Sequence, residues 1–145
     1  MQRQEIEAPY RLVIGNKTWS SWSLRPWLVL KRFGLPFEEV SVGLRQPQSK
    51  TSILAHSAAG KVPVLYAGDL AVWDSLAIID TLADRHPAMA IWPHDPGARA
   101  IARSVSAEMH SGFQALREQC PMDILAHKPL SDLNETTQLN VRRVI

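Results

Sequence analysis

Along residues 10–86 the apolar positions fall in short runs separated by turn-forming residues. Residues 11–15 are an apolar run closed by glycine, which predicts a buried strand. A turn follows at Asn16 and Lys17. Ser20, Ser21 and Ser23 then precede the apolar segment 24–33, which predicts a helix ended by Gly34. Ser23 is the expected N-cap, which places Pro26 in the first turn, where its missing N–H removes no helical bond. Residues 36–42 predict a second strand. The stretch 43–61 is polar, with a short helix expected within 49–56. Two apolar runs, 62–66 and 70–73, are joined by Ala67, Gly68 and Asp69, a hairpin signal. Asp74 and Ser75 then open a helix with Leu76, Ile79, Leu82 and Ala83 on one face, stopping near His86 and Pro87. The order is βαβ, an irregular segment, then ββα.

Beyond this point the period changes. Pro87, Pro93 and Pro96 punctuate a linker, and Asp95 followed by Pro96 is a strong helix start. Ile101, Val105, Met109, Phe113 and Leu116 recur every three or four residues and predict one long amphipathic helix ending at Cys120 and Pro121. A last helix is expected after Ser131, carrying Leu139, Val141, Val144 and Ile145 to the end of the chain. The expected organisation is an N-terminal extension (1–9), an α/β domain (10–86), a linker (87–94) and an all-helical segment (95–145).

Composition narrows the function. With 46% apolar and 21% charged residues the 145-residue chain is globular. Sixteen basic against fourteen acidic residues leave a net charge of +2, with no basic run, which argues against a nucleic-acid partner. A single cysteine, Cys120, excludes an intramolecular disulfide and a Cys-x-x-Cys redox pair, so a reducing, cytoplasmic setting is expected. Placed before Pro121 at a helix end, it reads as packing rather than as a nucleophile. The polar stretch 1–7 lacks the apolar core of a signal peptide, and no run approaches the ~20 apolar residues of a membrane span. His86, His94, His110 and His127 have no metal-ligand spacing. Neither a metal, a cofactor nor a membrane is expected.

Three features carry chemistry. Residues 20–25, Ser-Ser-Trp-Ser-Leu-Arg, stand at a strand-to-helix turn. A thiol of pKa about 8.5 is mostly protonated at neutral pH, while the thiolate is the nucleophile. A serine hydroxyl donating to the sulfur and a helix N-terminus beside it both favour the thiolate. The plain alternative is capping alone. In Gly60-Lys61-Val62-Pro63-Val64 a proline enters a strand, and the residue before it is available to pair its backbone with an extended peptide. The alternative is a strand simply entered through proline. At Asp74-Ser75, helix N–H groups suit a carboxylate and the Asp74 side chain suits an ammonium, the two charges of a γ-glutamyl end. The alternative is an ordinary N-cap.

Taken in this order, Ser-Ser-x-Ser-x-Arg, Gly-Lys-Val-Pro-Val-Leu and Asp-Ser-Leu-Ala-Ile-Ile resemble the glutathione-binding half of the glutathione S-transferases, zeta-like and other serine-type bacterial members above all. The resemblance spans residues 10–86 strongly and 95–120 less so. It implies a thioredoxin-like domain with a mixed four-stranded sheet and a cis proline, here Pro63, followed by helices of an all-helical domain. It implies Ser20 as the residue that activates the glutathione thiol, with Ser21 as the alternative. Val62, flanked by Lys61 and Pro63, would pair with the cysteinyl part, and Asp74 and Ser75 would hold the γ-glutamyl end. Gln48, Lys50 and His56 lie where such enzymes grip the glycine carboxylate, and Gln114 resembles a contact from the first long helix.

What the resemblance implies is a transferase that conjugates glutathione, held as a substrate, to a small electrophile, acting as a cytoplasmic homodimer in detoxification. Glutathione-dependent isomerisation of the maleylacetoacetate type and a non-catalytic glutathione-binding role are the alternatives. Zeta-class isomerases carry cysteine where this chain has Trp22, which points away from the isomerase. The resemblance would continue through further helices beyond Ile145, so a C-terminally truncated member is expected, with the apolar face of the long helix uncovered.

Overall fold

The computed structural model describes residues 9–129 and 132–145. The chain divides into two compact units, Met1–Ile91 and Trp92–Ile145. Of the expected N-terminal extension, all but Pro9 lies outside the described residues, as does Ser131.

The first unit is built on strands β1 (Tyr10–Ile14), β2 (Phe37–Ser41), β3 (Val64–Ala67) and β4 (Leu70–Trp73). Helices α1 (Ser21–Arg32), α2 (Ser49–Leu54) and α3 (Ser75–Arg85) complete it, with a single 3-10 turn at Pro87–Met89. The strands form one sheet of order β2-β1-β3-β4. β1 runs parallel to β2 and antiparallel to β3, and β3 runs antiparallel to β4. This is the mixed, thioredoxin-like sheet.

Side chains of β1 alternate between two faces, and from Leu12 to Ile14 both faces are covered, which is why that stretch is wholly apolar. Tyr10, Leu12 and Ile14 join Leu65 and Ala67 on one face, against Leu30 of α1 and Ile78 and Leu82 of α3. Val13 and Val64 belong to a second cluster with Val42 and Ile53 of α2. Arg11, the one charged residue of β1, stacks its guanidinium on the Tyr66 ring at 4.5 Å.

Local chemistry sets the boundaries. The N-cap of α1 is Ser20 rather than Ser23, and its hydroxyl accepts from the Ser23 N–H. The helix therefore starts earlier than expected, and Pro26 lies inside it, where it removes the bond to the Trp22 carbonyl. Pro26 itself is fully buried. At the other end Gly34 takes φ +64°, a conformation that glycine adopts without strain. Its N–H reaches the Lys31 carbonyl at 3.2 Å and the Leu35 N–H reaches Leu30 at 3.0 Å, a Schellman closure with Leu30 and Leu35 both in the core. β3 is paired only from Val64, two residues later than its apolar run begins, because Pro63 has no N–H to donate.

The second unit holds α4 (Pro96–Ser111), α5 (Gln114–Gln119) and α6 (Glu135–Val144). The expected single helix over 96–120 is thus two. Gly112 is extended and Phe113 is left-handed (φ 62°, ψ 32°), and this pair breaks the helical path. Arg117 ties the break together by donating to the Gly112 and Met109 carbonyls. Asn134 caps α6 by accepting from the Thr137 N–H at 2.8 Å, which places the start of this helix after Ser131, as expected, and one turn ahead of Leu139. Asn140 of α6 accepts from the Leu116 N–H of α5, and Arg143 holds both Glu108 carboxylate oxygens at 2.6 and 2.8 Å. The hydrogen bonds that Arg143 donates to that carboxylate, then the carboxylate's charge, raise the Arg143 pKa. No helix among the described residues is long and apolar enough to cross a membrane.

Candidate functional site

Strand register brings the three sequence features to one end of the sheet. Val13 pairs with Val64, and Val64 pairs with Trp73. The C-terminal end of β1, the start of β3 and the C-terminal end of β4 therefore lie side by side. From these ends emerge, respectively, the loop to Ser20, the segment Lys61-Val62-Pro63, and the pair Asp74-Ser75. Ile14 pairs with Ser41, so the end of β2 and the polar segment carrying Gln48 and Lys50 leave from the same side. The N-termini of α1 and α3 both begin there too, adding partial positive charge at that edge.

Ser20 is 7% exposed and Ser23 2%. The Ser20 hydroxyl donates to Ser23 Oγ at 2.8 Å, while Ser23 Oγ also accepts from the Gly15 N–H at 3.1 Å. The backbone of Ser20 is held by its N–H, which donates to the Asn16 carbonyl at 2.9 Å. Ser21 follows as the first helical residue and is half-buried. Trp22, where a cysteine was expected for an isomerase, lies under the Arg25 guanidinium at 4.1 Å.

The Val62–Pro63 peptide bond is cis. Val62 is half-buried against the Val13 cluster, and Lys61 beside it is exposed.

Asp74 combines two observations. Its backbone sits at φ 76°, ψ 129°, a region that costs a non-glycine residue on the order of 1–3 kcal/mol. Its Oδ1 accepts from the Leu76 N–H at 2.9 Å and the Ala77 N–H at 3.2 Å. The cap reading thus holds, and it qualifies the expected carboxylate site, because two helix amides are already engaged by Asp74 itself. Ser75 is different. Its side chain is buried, and Oγ has no hydrogen-bond partner among the described residues. A buried polar group without a partner calls for an explanation, and this one stands at a helix start.

Gln48, Lys50 and Gln114 are exposed. Gln114 belongs to the second unit, where its amide donates to Glu118 at 2.7 Å. His56 lends its backbone carbonyl to the Tyr66 hydroxyl. Among the described residues no three or more His, Cys, Asp or Glu side chains come together as a metal-ligand set. Sequence reading gave Ser23 only a capping role and Asn16 only a turn. The Ser-x-x-Ser spacing was a legible signal for the first, since i and i+3 share a helix face. The contact of Asn16 with a distant loop had no local signal.

The family model for the glutathione S-transferase N-terminal domain matches residues 19–85. By that domain the chain belongs to the glutathione S-transferase family. It is 33% identical over 108 residues to a probable maleylacetoacetate isomerase of Caenorhabditis elegans, covering 74% of this chain and 50% of that protein. It is 34% identical over 113 residues to glutathione S-transferase 1 of Dianthus caryophyllus, covering 77% of this chain and 50% of that one. The chain therefore spans about half the length of the curated relatives it matches. Among solved structures, a glutathione transferase homologue from Burkholderia with bound glutathione superposes with a TM-score of 0.64 at 31% identity, over 76% of this chain and 58% of that one. A homologue from Sulfitobacter gives a TM-score of 0.73 at 23% identity over 94% of this chain and 69% of that one, which extends the family fold into the helical unit.

Proposed function

We propose that the chain binds reduced glutathione at this sheet edge and activates its thiol for transfer to a small electrophile. The observation that carries the reading is the convergence of Ser20, Val62 and Ser75 at one end of the sheet, each with a group suited to a different part of the tripeptide. The thiol proton leaves to water, and Ser20 turns its own proton from Ser23 toward the glutathione sulfur, so that this hydrogen bond and the α1 N-terminus favour the thiolate. Ser23 keeps Ser20 Oγ in place through its N–H and takes no proton away. Val62 pairs its backbone with the cysteinyl unit, and the Ser75 hydroxyl meets the γ-glutamyl carboxylate. Asp74 faces the adjoining ammonium, Lys61 flanks Val62 at the cysteinyl part, and the segment carrying Gln48, Lys50 and His56 supplies the polar and positive groups near the glycine end. Glutathione is the substrate in this scheme, with no metal or other cofactor.

Relatives named maleylacetoacetate isomerase support glutathione-dependent isomerisation as a second reading. Trp22, stacked by Arg25, stands against it. The working unit in this proposal is a cytoplasmic homodimer, supported by exposed apolar residues in each unit: Leu70 and Trp73 on β4, Ile101 and Val105 on α4.

Calorimetry with glutathione, followed by thiolate absorbance of the bound tripeptide against pH, tests the reading. Binding with a thiol pKa below that of free glutathione is expected. No heat from a folded sample at saturating glutathione would overturn it. An aryl halide and a cis-enone substrate then separate transfer from isomerisation.

A further inference from the structure

We infer that Asn16, with Arg45 and Trp19, is a latch between two loops and acts as the positioning residue for Ser20; this rests on the proposed role of Ser20 in thiol activation. The loop from β1 to α1 and the segment after β2 are distant in sequence but are joined at three points. The Asn16 side chain accepts from the Leu44 N–H through Oδ1 at 2.6 Å. The Arg45 guanidinium lies over the Trp19 ring at 4.7 Å. The Leu44 side chain packs on Gly15 so closely that an added Cβ would stand 2.5 Å from Leu44 Cδ1 and 3.1 Å from Ser20 Cβ.

Asn16 is the hinge pin of this arrangement because both of its polar ends are used. Its backbone carbonyl accepts from the N–H groups of Trp19 at 3.1 Å and Ser20 at 2.9 Å, so it shapes the turn that delivers Ser20. Its side chain fixes that turn to Leu44. Arg45 is held at φ 59°, a left-handed conformation unfavourable for arginine, and from there its side chain reaches Trp19, the residue before Ser20. The strained backbone and the stack occur at the same residue. A loop that merely crossed the surface would need neither.

The consequence is mechanical. Ser20 Oγ must present its proton to a sulfur at a fixed place, and a hydrogen bond weakens steeply as its geometry departs from linear. The segment after β2 also carries Gln48 and Lys50, so Asn16 ties together the two loops assigned to the tripeptide. Loosening the latch should raise the thiol pKa while leaving most of the binding surface intact.

The test compares Asn16→Ala, Asn16→Asp and Arg45→Gly in the full chain. Asp keeps an acceptor for the Leu44 N–H, and Gly keeps the positive φ while removing the stack. Without ligand, amide exchange at Leu44 and Ser20 should accelerate roughly three- to ten-fold in Asn16→Ala, with strand amides unchanged. With glutathione, the bound thiol pKa should rise by about half a unit or more in Asn16→Ala, with affinity within about three-fold. The activity profile should shift to higher pH in step. Asn16→Asp should restore most of both effects, and Arg45→Gly should show a smaller shift in the same direction. Unchanged exchange at Leu44 and Ser20 overturns the latch, whatever glutathione does. Faster exchange with an unmoved thiol pKa, or a loss of affinity that matches the loss of rate, overturns the positioning role. A wild-type chain that exchanges as described but binds no glutathione overturns the functional reading, and the positioning role with it.

Discussion

Ser20 and Ser23 form a closed pair: the Ser20 hydroxyl donates to Ser23 Oγ at 2.8 Å, and the Ser23 N–H returns a bond to Ser20 Oγ at 3.3 Å. Without a ligand the proton of Ser20 therefore already has an acceptor. Binding a thiolate exchanges one acceptor for a charged one, and hydrogen bonds to charged groups are worth about 1.5–3 kcal/mol against about 1 for neutral ones. The exchange is favourable, and it requires only a rotation of the hydroxyl.

Ser20→Ala should therefore raise the thiol pKa of bound glutathione by roughly one unit while glutathione affinity stays within a few-fold. It should also lower stability by about 1 kcal/mol, because the cap of α1 is lost. Ser23→Ala keeps its N–H bond to Ser20 and should leave the pKa closer to wild type. Thiolate absorbance against pH and thermal melts read both. A larger pKa effect in Ser21→Ala would move the thiol-activating role to Ser21.

Asp74 should separate stability from binding. Glycine at an N-cap is only a few tenths of a kcal/mol worse than aspartate, whereas the strain at φ 76° is on the order of 1–3 kcal/mol. Asp74→Gly should thus fold at least as stably as wild type, yet bind glutathione ten-fold or more weakly, the equivalent of about 1.4 kcal/mol. The bound thiol pKa should hardly move. Calorimetry alongside chemical denaturation checks it, and a variant of lowered stability with unchanged affinity would make Asp74 a structural cap alone.

The order of elements in the first unit was legible because each is bounded by a residue with a local physical role. Gly34 closes α1, Gly68 turns the hairpin and Asp74 caps α3. The convergence of Ser20, Val62 and Ser75 followed from motif order together with the fold that the resemblance implied. What escaped was decided by contacts distant in sequence or by competition between nearby residues. Three serines, Ser20, Ser21 and Ser23, were available as cap of α1, and the choice of Ser20 moved Pro26 into the helix. Phe113 adopts a left-handed backbone that no propensity favours, so the apolar period ran unbroken across a real break in the helix. Asn16 meets Leu44 across a gap that no periodicity spans.

The network around Glu39 makes a pH prediction. Partial burial pushes its carboxyl up, but hydrogen bonds from Lys17 and Trp27 and the charges of Lys17 and Lys31 outweigh this and hold it below the ordinary value of 4.5. A carboxyl depressed in the folded state contributes stability that is fully present above its unfolded pKa and is lost as pH falls through the folded one. Glu39→Gln keeps an acceptor for Trp27 but removes the charge. Its deficit should be below about 1 kcal/mol near neutral pH and should vanish in acid. Urea titrations of both proteins at a series of pH values measure the difference; a deficit that grows on acidification would reverse the sign.

The final prediction concerns the helical unit. Ile101 is 67% exposed and Val105 54%, whereas Met109, Phe113 and Leu116, further along the same sequence period, are half-buried. The expected apolar stripe is thus uncovered mainly at its N-terminal half, where adjacent large aliphatic side chains one turn apart form an association surface. Full burial of two such side chains would contribute roughly 3–6 kcal/mol per chain before the cost of association. Ile101→Glu with Val105→Glu should leave the melting temperature of the first unit unchanged, since neither residue belongs to it. The pair should lower concentration-dependent association in sedimentation velocity by at least about ten-fold, because two charges would have to be desolvated at the contact. If both proteins sediment identically as monomers, the exposed half of α4 takes no part in self-association. If both sediment identically as dimers, the contact lies elsewhere, and Leu70→Glu with Trp73→Glu on the β4 edge becomes the variant that should dissociate them.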